Sequence, residues 1–191
     1  MSVSPTQLQR HSIDQYFTQE TPSEQRHEYR DGLITAMTGG TPEHNELSGS
    51  LVVLLRLALK GKPYQVFVAD QRLWIPDQKL YTYPDLMVMA KPIERQEGRR
   101  DTVINPLFIA EILSKSTRSY DRDETFEAYR SIATFQEYLL VDQYRIHVEH
   151  YVKQQDNQWL FTEYDDRAAQ LTLVSLPVVI DLADLYAGIE V

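Results

Sequence analysis

Residues 109–129 read I-A-E-I-L-S-K-S-T-R-S-Y-D-R-D-E-T-F-E-A-Y. A short apolar run breaks at Ser114-Lys115-Ser116-Thr117 and gives way to a charged, amphipathic segment. An apolar run of this length, bounded by turn residues, predicts a buried strand. Glu111 is then a carboxylate inside a strand whose other residues favour a dry core. A lone buried charge is costly, so such a group is paired, metal-bound or protonated. Working outward, a second carboxylate of this character, Asp85, stands in Y-T-Y-P-D-L-M-V-M-A at 81–90.

The elements around these two strands read in order. Residues 1–26 form a polar arm with one amphipathic piece at 12–19, predicted as a short helix capped at Ser12 or just after it. In H-E-Y-R-D-G-L-I-T-A-M, Asp31-Gly32 is a two-residue turn signal between strand formers, which predicts a hairpin. Thr41-Pro42-Glu43 opens a helix, with a capping hydroxyl, a proline suited to the first turn and an acid at the positive end. Leu47, Leu51, Leu54, Leu55 and Ala58 give that helix one apolar face, and Gly61 and Pro63 stop it. Strands are predicted at 64–69 and 72–76. A further strand is predicted at 81–90, where Pro84 cannot donate to a ladder and so marks a beginning or an edge. A charged loop covers 91–105, the central strand 106–113 and a helix 120–132. Strands follow at 136–141, 145–152, 158–164, 171–174 and 178–180, and a last short helix at 181–186. Helices interleaved with strands predict a single α/β domain over 1–191 with a mixed sheet.

The bulk numbers narrow the partners. Of 191 residues, 28 are Asp or Glu against 19 Lys or Arg, a net charge of −9, so contact with nucleic acid needs a local basic patch or cations that offset the carboxylates. There is no cysteine, which excludes disulfides and thiolate metal sites and fits a reducing, cytoplasmic setting. No apolar run reaches the length of a membrane span, and the polar start is not a secretory signal. Neighbours in sequence are often neighbours in space, so Asp85 and Glu111 can meet at a sheet edge. Two carboxylates and a backbone carbonyl make an oxygen site of the kind magnesium prefers. The same residues also fit a purely structural account, with Asp85 capping the turn after Pro84 and Glu111 paired with Arg122 or Arg130.

Three stretches carry a family resemblance. They are H-E-Y-R-D-G with M-T-G-G-T-P-E-H-N-E, then Y-T-Y-P-D-L-M-V, then 109–143 from I-A-E-I-L-S-K-S-T to E-Y-L-L-V-D-Q. Together they cover most of 27–143 and resemble the Uma-type family of restriction-endonuclease-like proteins, within the PD-(D/E)xK nuclease superfamily. The resemblance implies a restriction-endonuclease-like α/β fold, a central mixed sheet flanked by helices. It implies that Asp85 and Glu111 bind Mg2+, with Mn2+ as a substitute, and that Glu28 is an auxiliary acid near the metal. The implied activity is magnesium-dependent endonuclease action, hydrolysis of a DNA phosphodiester by a metal-activated water. A homodimer is expected, since cutting two strands commonly uses two sites and two-fold pairing is the commonest assembly. The strands from Gln158 onward are the expected contact.

The chain departs from the family pattern at the lysine. The superfamily's lysine lies two residues after the glutamate, where this chain has Leu113. The Uma-type family instead supplies a lysine in a D-R-x-x-K-F setting. Here that reads D-R-D-E-T-F, with Thr125 at the lysine's place. A hydroxyl carries no positive charge and cannot orient a water as an ammonium does. Lys115, just past the strand end on a long stem, is the candidate catalytic substitute; a solvated turn lysine is the plainer reading. Leu33 likewise stands where relatives often carry another acid. These departures keep two alternatives open: a weakened nuclease that binds DNA or a protein without cutting, and an acidic module whose carboxylates are only salt-bridged.

Other candidates rank lower. His44 and Asn45 open the long helix and can face a ligand. His147 and His150 are oddly spaced on a strand, which argues against a zinc pair. Ser114, Ser116 and Thr117 read as helix caps. Arg95, Arg99, Arg100, Arg118 and Arg122 form either a phosphate-facing rim or ordinary balanced surface charge.

Overall fold

The computed structural model describes residues 9–115 and 118–190, and of Arg118 only the backbone. The capping roles expected of Ser116 and Thr117 lie outside the described residues.

The arm contains α1 (Ile13–Glu20), closed by a capping box in which Ser12 and Gln15 bond each other's backbone N–H. The hairpin is β1 (His27–Arg30) and β2 (Leu33–Ala36), turned at Asp31 and Gly32. Both turn residues have positive φ, 42° and 96°, as a primed two-residue turn requires. Next come α2 (Pro42–Ala58), capped by Thr41, and the strands β3 (Tyr64–Val68) and β4 (Arg72–Ile75). The predicted 81–90 strand is two strands, β5 (Leu80–Thr82) and β6 (Leu86–Ala90). The charged loop carries a short β7 (Thr102–Val103), and β8 is Phe108–Leu113.

The helix predicted at 120–132 begins earlier and is interrupted. It runs as α3 (Arg118–Tyr120), a π-helical turn Asp121–Thr125, and α4 (Phe126–Arg130). Then follow β9 (Glu137–Asp142), β10 (Val148–Gln155), β11 (Gln158–Tyr164), β12 (Gln170–Thr172), β13 (Val179–Asp181) and α5 (Leu182–Leu185). β10 starts three residues later than predicted because 143–147 form a turn region.

The central sheet is mixed, with order β11-β10-β9-β8-β6-β3. β8 runs parallel to β9 and antiparallel to β6. A second sheet, β2-β1-β5-β4-β7, corrects the expectation of one sheet, and β12-β13 form a small third. The chain changes sheets at Tyr83-Pro84, where the missing proline N–H ends β5 before β6 begins.

Alternation along β8 divides the core. Phe108, Ala110 and Ile112 join Leu47, Leu51 and Leu55 of α2 in one apolar cluster. Ile109 and Leu113 join Phe126 and Tyr129 of α4, with Leu73, Ile75 and Leu80 of the second sheet, in the other. Each fully buried leucine of α2 contributes about 1.5–3 kcal/mol. Glu111 belongs by parity to the face of Ile109 and Leu113, the side covered by α4. Leu113 is therefore a core residue.

Candidate active site

Leu86 of β6 pairs with Ala110 of β8, so one step outward sets Asp85 opposite Glu111. Two hydrogen bonds lock that step. The Asp85 backbone N–H donates to Glu111 Oε2 at 2.9 Å, and the Ile112 N–H donates to Asp85 Oδ2 at 2.8 Å. The Tyr129 hydroxyl donates to Glu111 Oε1 at 2.7 Å from the helix that covers the strand. His44, in the first turn of α2, sets Nε2 at 3.0 Å from Asp85 Oδ2. Close packing under that imidazole requires a glycine. A Cβ at position 40 would stand 2.5 Å from His44 Nδ1 and 2.8 Å from its Cγ.

The two carboxylates face different environments. Glu111 is buried at 8% exposure, whereas the Asp85 side chain is 22% exposed. Burial raises the Glu111 pKa well above the glutamate range, and the nearby charges of Asp85 and Asp121 raise it further; bonds from the Asp85 N–H and Tyr129 act the other way. Burial pulls the His44 pKa down, but the Asp85 hydrogen bond and charge outweigh it, so the imidazole titrates above its usual value.

The Glu111 shift has a definite sign for stability. Below the ordinary glutamate value near pH 4.5 the group is protonated whether the chain is folded or not. Above it the unfolded chain ionises first, so this group's contribution to folding falls as pH rises, until the folded-state pKa is passed. In EDTA, Glu111→Gln is therefore expected to show a stability advantage over wild type that is absent at pH 4 and grows with pH. Urea unfolding at stepped pH checks this; an advantage independent of pH would contradict it.

The π-helical turn aims a row of side chains at this strand. Asp121, Thr125 and Tyr129 follow at i, i+4 and i+8. Tyr129 bonds Glu111 and Asp121 acts on its charge, so Thr125 between them lies in the same row. Thr125 is 3% exposed and its hydroxyl has no hydrogen-bond partner among the described residues. The Tyr138 hydroxyl donates to the Asp121 carbonyl at 3.2 Å, satisfying a group in the wider turn. Single π turns within α-helices occur frequently at functional sites. Nothing local in the 120–132 sequence marks Tyr129 as a partner of Glu111. Its tie to Glu111, and the i+4 row through Asp121, were legible only once strand and helix were packed.

The other expected residues lie further out. Glu28, on β1 of the second sheet, accepts from Thr82 at 3.0 Å and from Tyr120, and pairs with Arg30 at 3.5 Å. Its carboxylate is thus already engaged, one residue along the helix from Asp121. Lys115 sets Nζ 5.2 Å from the centre of the Tyr144 ring, and no ion pair joins it to Asp85 or Glu111 among the described residues. Arg122 pairs with Glu149, and Arg130 lies over Phe126, so neither supplies the partner that a purely structural Glu111 requires. Arg99 is tied to Asp101 at 2.8 Å. His147 and His150 pair separately, with Asp165 and with Glu137.

A divalent cation fits this donor set. Among the described residues no lysine or arginine pairs with Asp85 or Glu111, so His44, which carries charge only when protonated, is the one basic group set against two adjacent carboxylates, one of them buried. No group of three or more His, Asp or Glu among those residues is arranged to hold an ion by itself. A cation here would have two carboxylates and would complete its shell with water, carbonyl oxygen or substrate phosphate, which is how magnesium is usually bound.

The family model Uma2, described as "Putative restriction endonuclease", matches residues 13–183. Two uncharacterized proteins of Synechocystis sp. (strain ATCC 27184 / PCC 6803 / Kazusa) are similar along most of their length. The protein sll1609 is 39% identical over 157 residues, 82% of this chain and 89% of the relative. The protein slr1290 is 32% identical over 180 residues, 93% of this chain and 92% of the relative. A solved structure from Anabaena variabilis ATCC 29413, described as "a putative nuclease belonging to DUF820", shares the fold with a TM-score of 0.74 at 19% identity. It covers 93% of this chain and 98% of its own.

Proposed function

Because this chain belongs to the Uma2 family of restriction-endonuclease-like proteins, we propose that it is a divalent-metal-dependent endonuclease that hydrolyses DNA phosphodiester bonds, with Asp85 and Glu111 as the metal-holding carboxylates. The observation that carries this reading is the adjacent carboxylate pair itself, held together by the Asp85 and Ile112 N–H groups with no lysine or arginine on it among the described residues. A magnesium ion bound there would acidify a water and screen the phosphate charge. The residues do the rest. Asp85 Oδ2 is occupied by Ile112 and His44, which leaves Oδ1 as the oxygen that would hold the ion. Tyr129, itself buried, fixes the Glu111 carboxyl through its hydroxyl. A pair of copies, one per strand, would complete a double-strand cut.

The experiment is incubation with plasmid in Mg2+ or Mn2+, beside Asp85→Ala. Metal-dependent nicking lost in the variant supports the reading; cleavage that survives it, or no cleavage by wild type, counts against it. The unpartnered hydroxyl of Thr125 favours a second reading, a nuclease fold slowed at the water-positioning step.

His44 enters this proposal as a positioning residue for Asp85. Outer partners of metal ligands typically account for 10–100-fold in affinity or activity. His44→Ala is expected to weaken Mn2+ binding about 10-fold or more, and Gly40→Ala to do the same by displacing the ring. The double variant should lose no more than His44→Ala alone. Additive losses, measured by Mn2+ titration, would mean that Gly40 acts independently of the imidazole.

A further inference from the structure

We propose that the cleft at the C-terminal ends of β8 and β9, lined by Lys115, Tyr144 and Arg145 over Asp142, binds a backbone phosphate of the nucleic-acid strand to the side of the scissile bond. The proposal rests on the nuclease reading and assigns Lys115 to substrate binding rather than to chemistry.

Placement comes first. β8 and β9 are parallel, so Lys115, just beyond β8, and Tyr144-Arg145, just beyond β9, share one edge of the sheet. Lys115 is four residues past Glu111, which puts its Cα within about 14 Å along the chain. That is a few nucleotides of one strand. A hydrogen-bonded frame joins cleft and carboxylates. Gln143 Nε2 donates to the Leu113 carbonyl at 2.8 Å, and Gln143 Oε1 accepts from Thr41 at 2.5 Å. Thr41 caps α2, the helix that presents His44 to Asp85.

The chemistry is that of an anion site with an aromatic wall. The cleft is open to solvent and offers about 410 Å³, room for a phosphate and its sugar. The Lys115 ammonium is held over the Tyr144 ring, and no carboxylate pairs with it among the described residues. Arg145 sets Nε 3.5 Å from Asp142 Oδ2, with 60% of its side chain exposed. Asp142 is fully buried beneath it. Two cations therefore line the cleft above one carboxylate, on a chain whose net charge is −9. Tyr144, 42% exposed, adds a ring of the kind on which bases stack. A strand held here is drawn across the edge where Asp85 and Glu111 lie.

The test is binding of a labelled oligonucleotide by the full chain, with Ca2+ replacing Mg2+, over a range of salt, together with steady-state cleavage in Mg2+. Lys115→Ala/Arg145→Ala is expected to raise Kd at least 10-fold and to lower the slope of log K against log salt by about 1–2, as loss of one or two phosphate contacts demands. KM should rise and kcat stay unchanged. Lys115→Arg/Arg145→Lys should restore most of the affinity. Arg56→Ala/Lys60→Ala removes the same charge from exposed positions near the far end of α2 and should change neither quantity. An unchanged Kd and slope in the first variant overturns the cleft while the nuclease reading stands. A fall in kcat at constant KM also overturns it, by making Lys115 catalytic. Binding that the first variant weakens, without any cleavage by wild type, instead sinks the nuclease reading and leaves the cleft as a nucleic-acid site. Absence of binding by wild type sinks both.

Discussion

Asp85→Asn is expected to abolish metal-dependent cleavage and to make the metal-free protein more stable. The two effects have one cause. The asparagine keeps the shape of Asp85 and one oxygen for the Ile112 N–H, so the turn between the sheets survives. What it removes is a negative charge beside a buried glutamate whose ionisation that charge already opposes. Without metal, at a pH above the His44 titration where no imidazolium pairs with Asp85, relief of like-charge repulsion stabilises the fold. A gain of about 1 kcal/mol would raise Tm by roughly 2–4 °C in a chain of this size. With metal the balance reverses. A cation that binds only the folded wild type raises its Tm by mass action, and the variant should lose that response. Loss of an outer partner typically costs 10–100-fold, so loss of a ligand should lower activity by at least about 100-fold. Thermal melts with EDTA and with Mn2+, beside a plasmid assay, check both halves. A variant that melts lower in EDTA and retains the metal response would show Asp85 to be structural.

Thr125→Lys is expected to raise the cleavage rate about 100-fold, the lower end of what a positioned proton-transfer group supplies. The position lies in the row that runs from Asp121 to Tyr129, against β8, and its hydroxyl is buried without a partner. An ammonium placed there would meet Glu111 and Asp121 and could orient a water beside them. The longer side chain also costs something. Overfilling a packed site typically destabilises by about 1–3 kcal/mol, so Tm should fall while kcat rises. Single-turnover cleavage at saturating metal measures the gain. No change in rate, in a variant shown by circular dichroism to be folded, would mean that chemistry does not wait on that position.

Much of this arrangement was legible locally. The hairpin followed from Asp31-Gly32, and α2 from Thr41-Pro42 and its leucine spacing, because turn chemistry and periodicity act over a few residues. Asp85 and Glu111 stood out because a carboxylate in an apolar strand conflicts with its surroundings, and such conflicts gather at functional sites. Leu113 and Thr125 marked the departure from the family's lysine. The parts not legible depend on partners distant in sequence. The strand predicted at 81–90 is two strands in two sheets, since Pro84 marks a break but does not say which neighbour each half will choose. His44 meets Asp85 across 41 residues, and only the docking of α2 on the central sheet brings them together. The π-helical turn is not signalled by D-R-D-E-T, and the Tyr138 hydroxyl that meets its Asp121 carbonyl comes from a separate strand. Lys115 read as a catalytic substitute because it lies near Glu111 in sequence. Its contact with Tyr144 depends on β9, which the sequence places more than twenty residues later.

The most direct measurement is the anomalous difference map of a crystal soaked in Mn2+. A single peak within about 2.5 Å of one oxygen of Asp85 and one of Glu111, with Tyr129 still bonded to the glutamate, is the predicted result. A map with manganese elsewhere, or with none while the Asp85 N–H and Tyr129 retain their hold on Glu111, would contradict it.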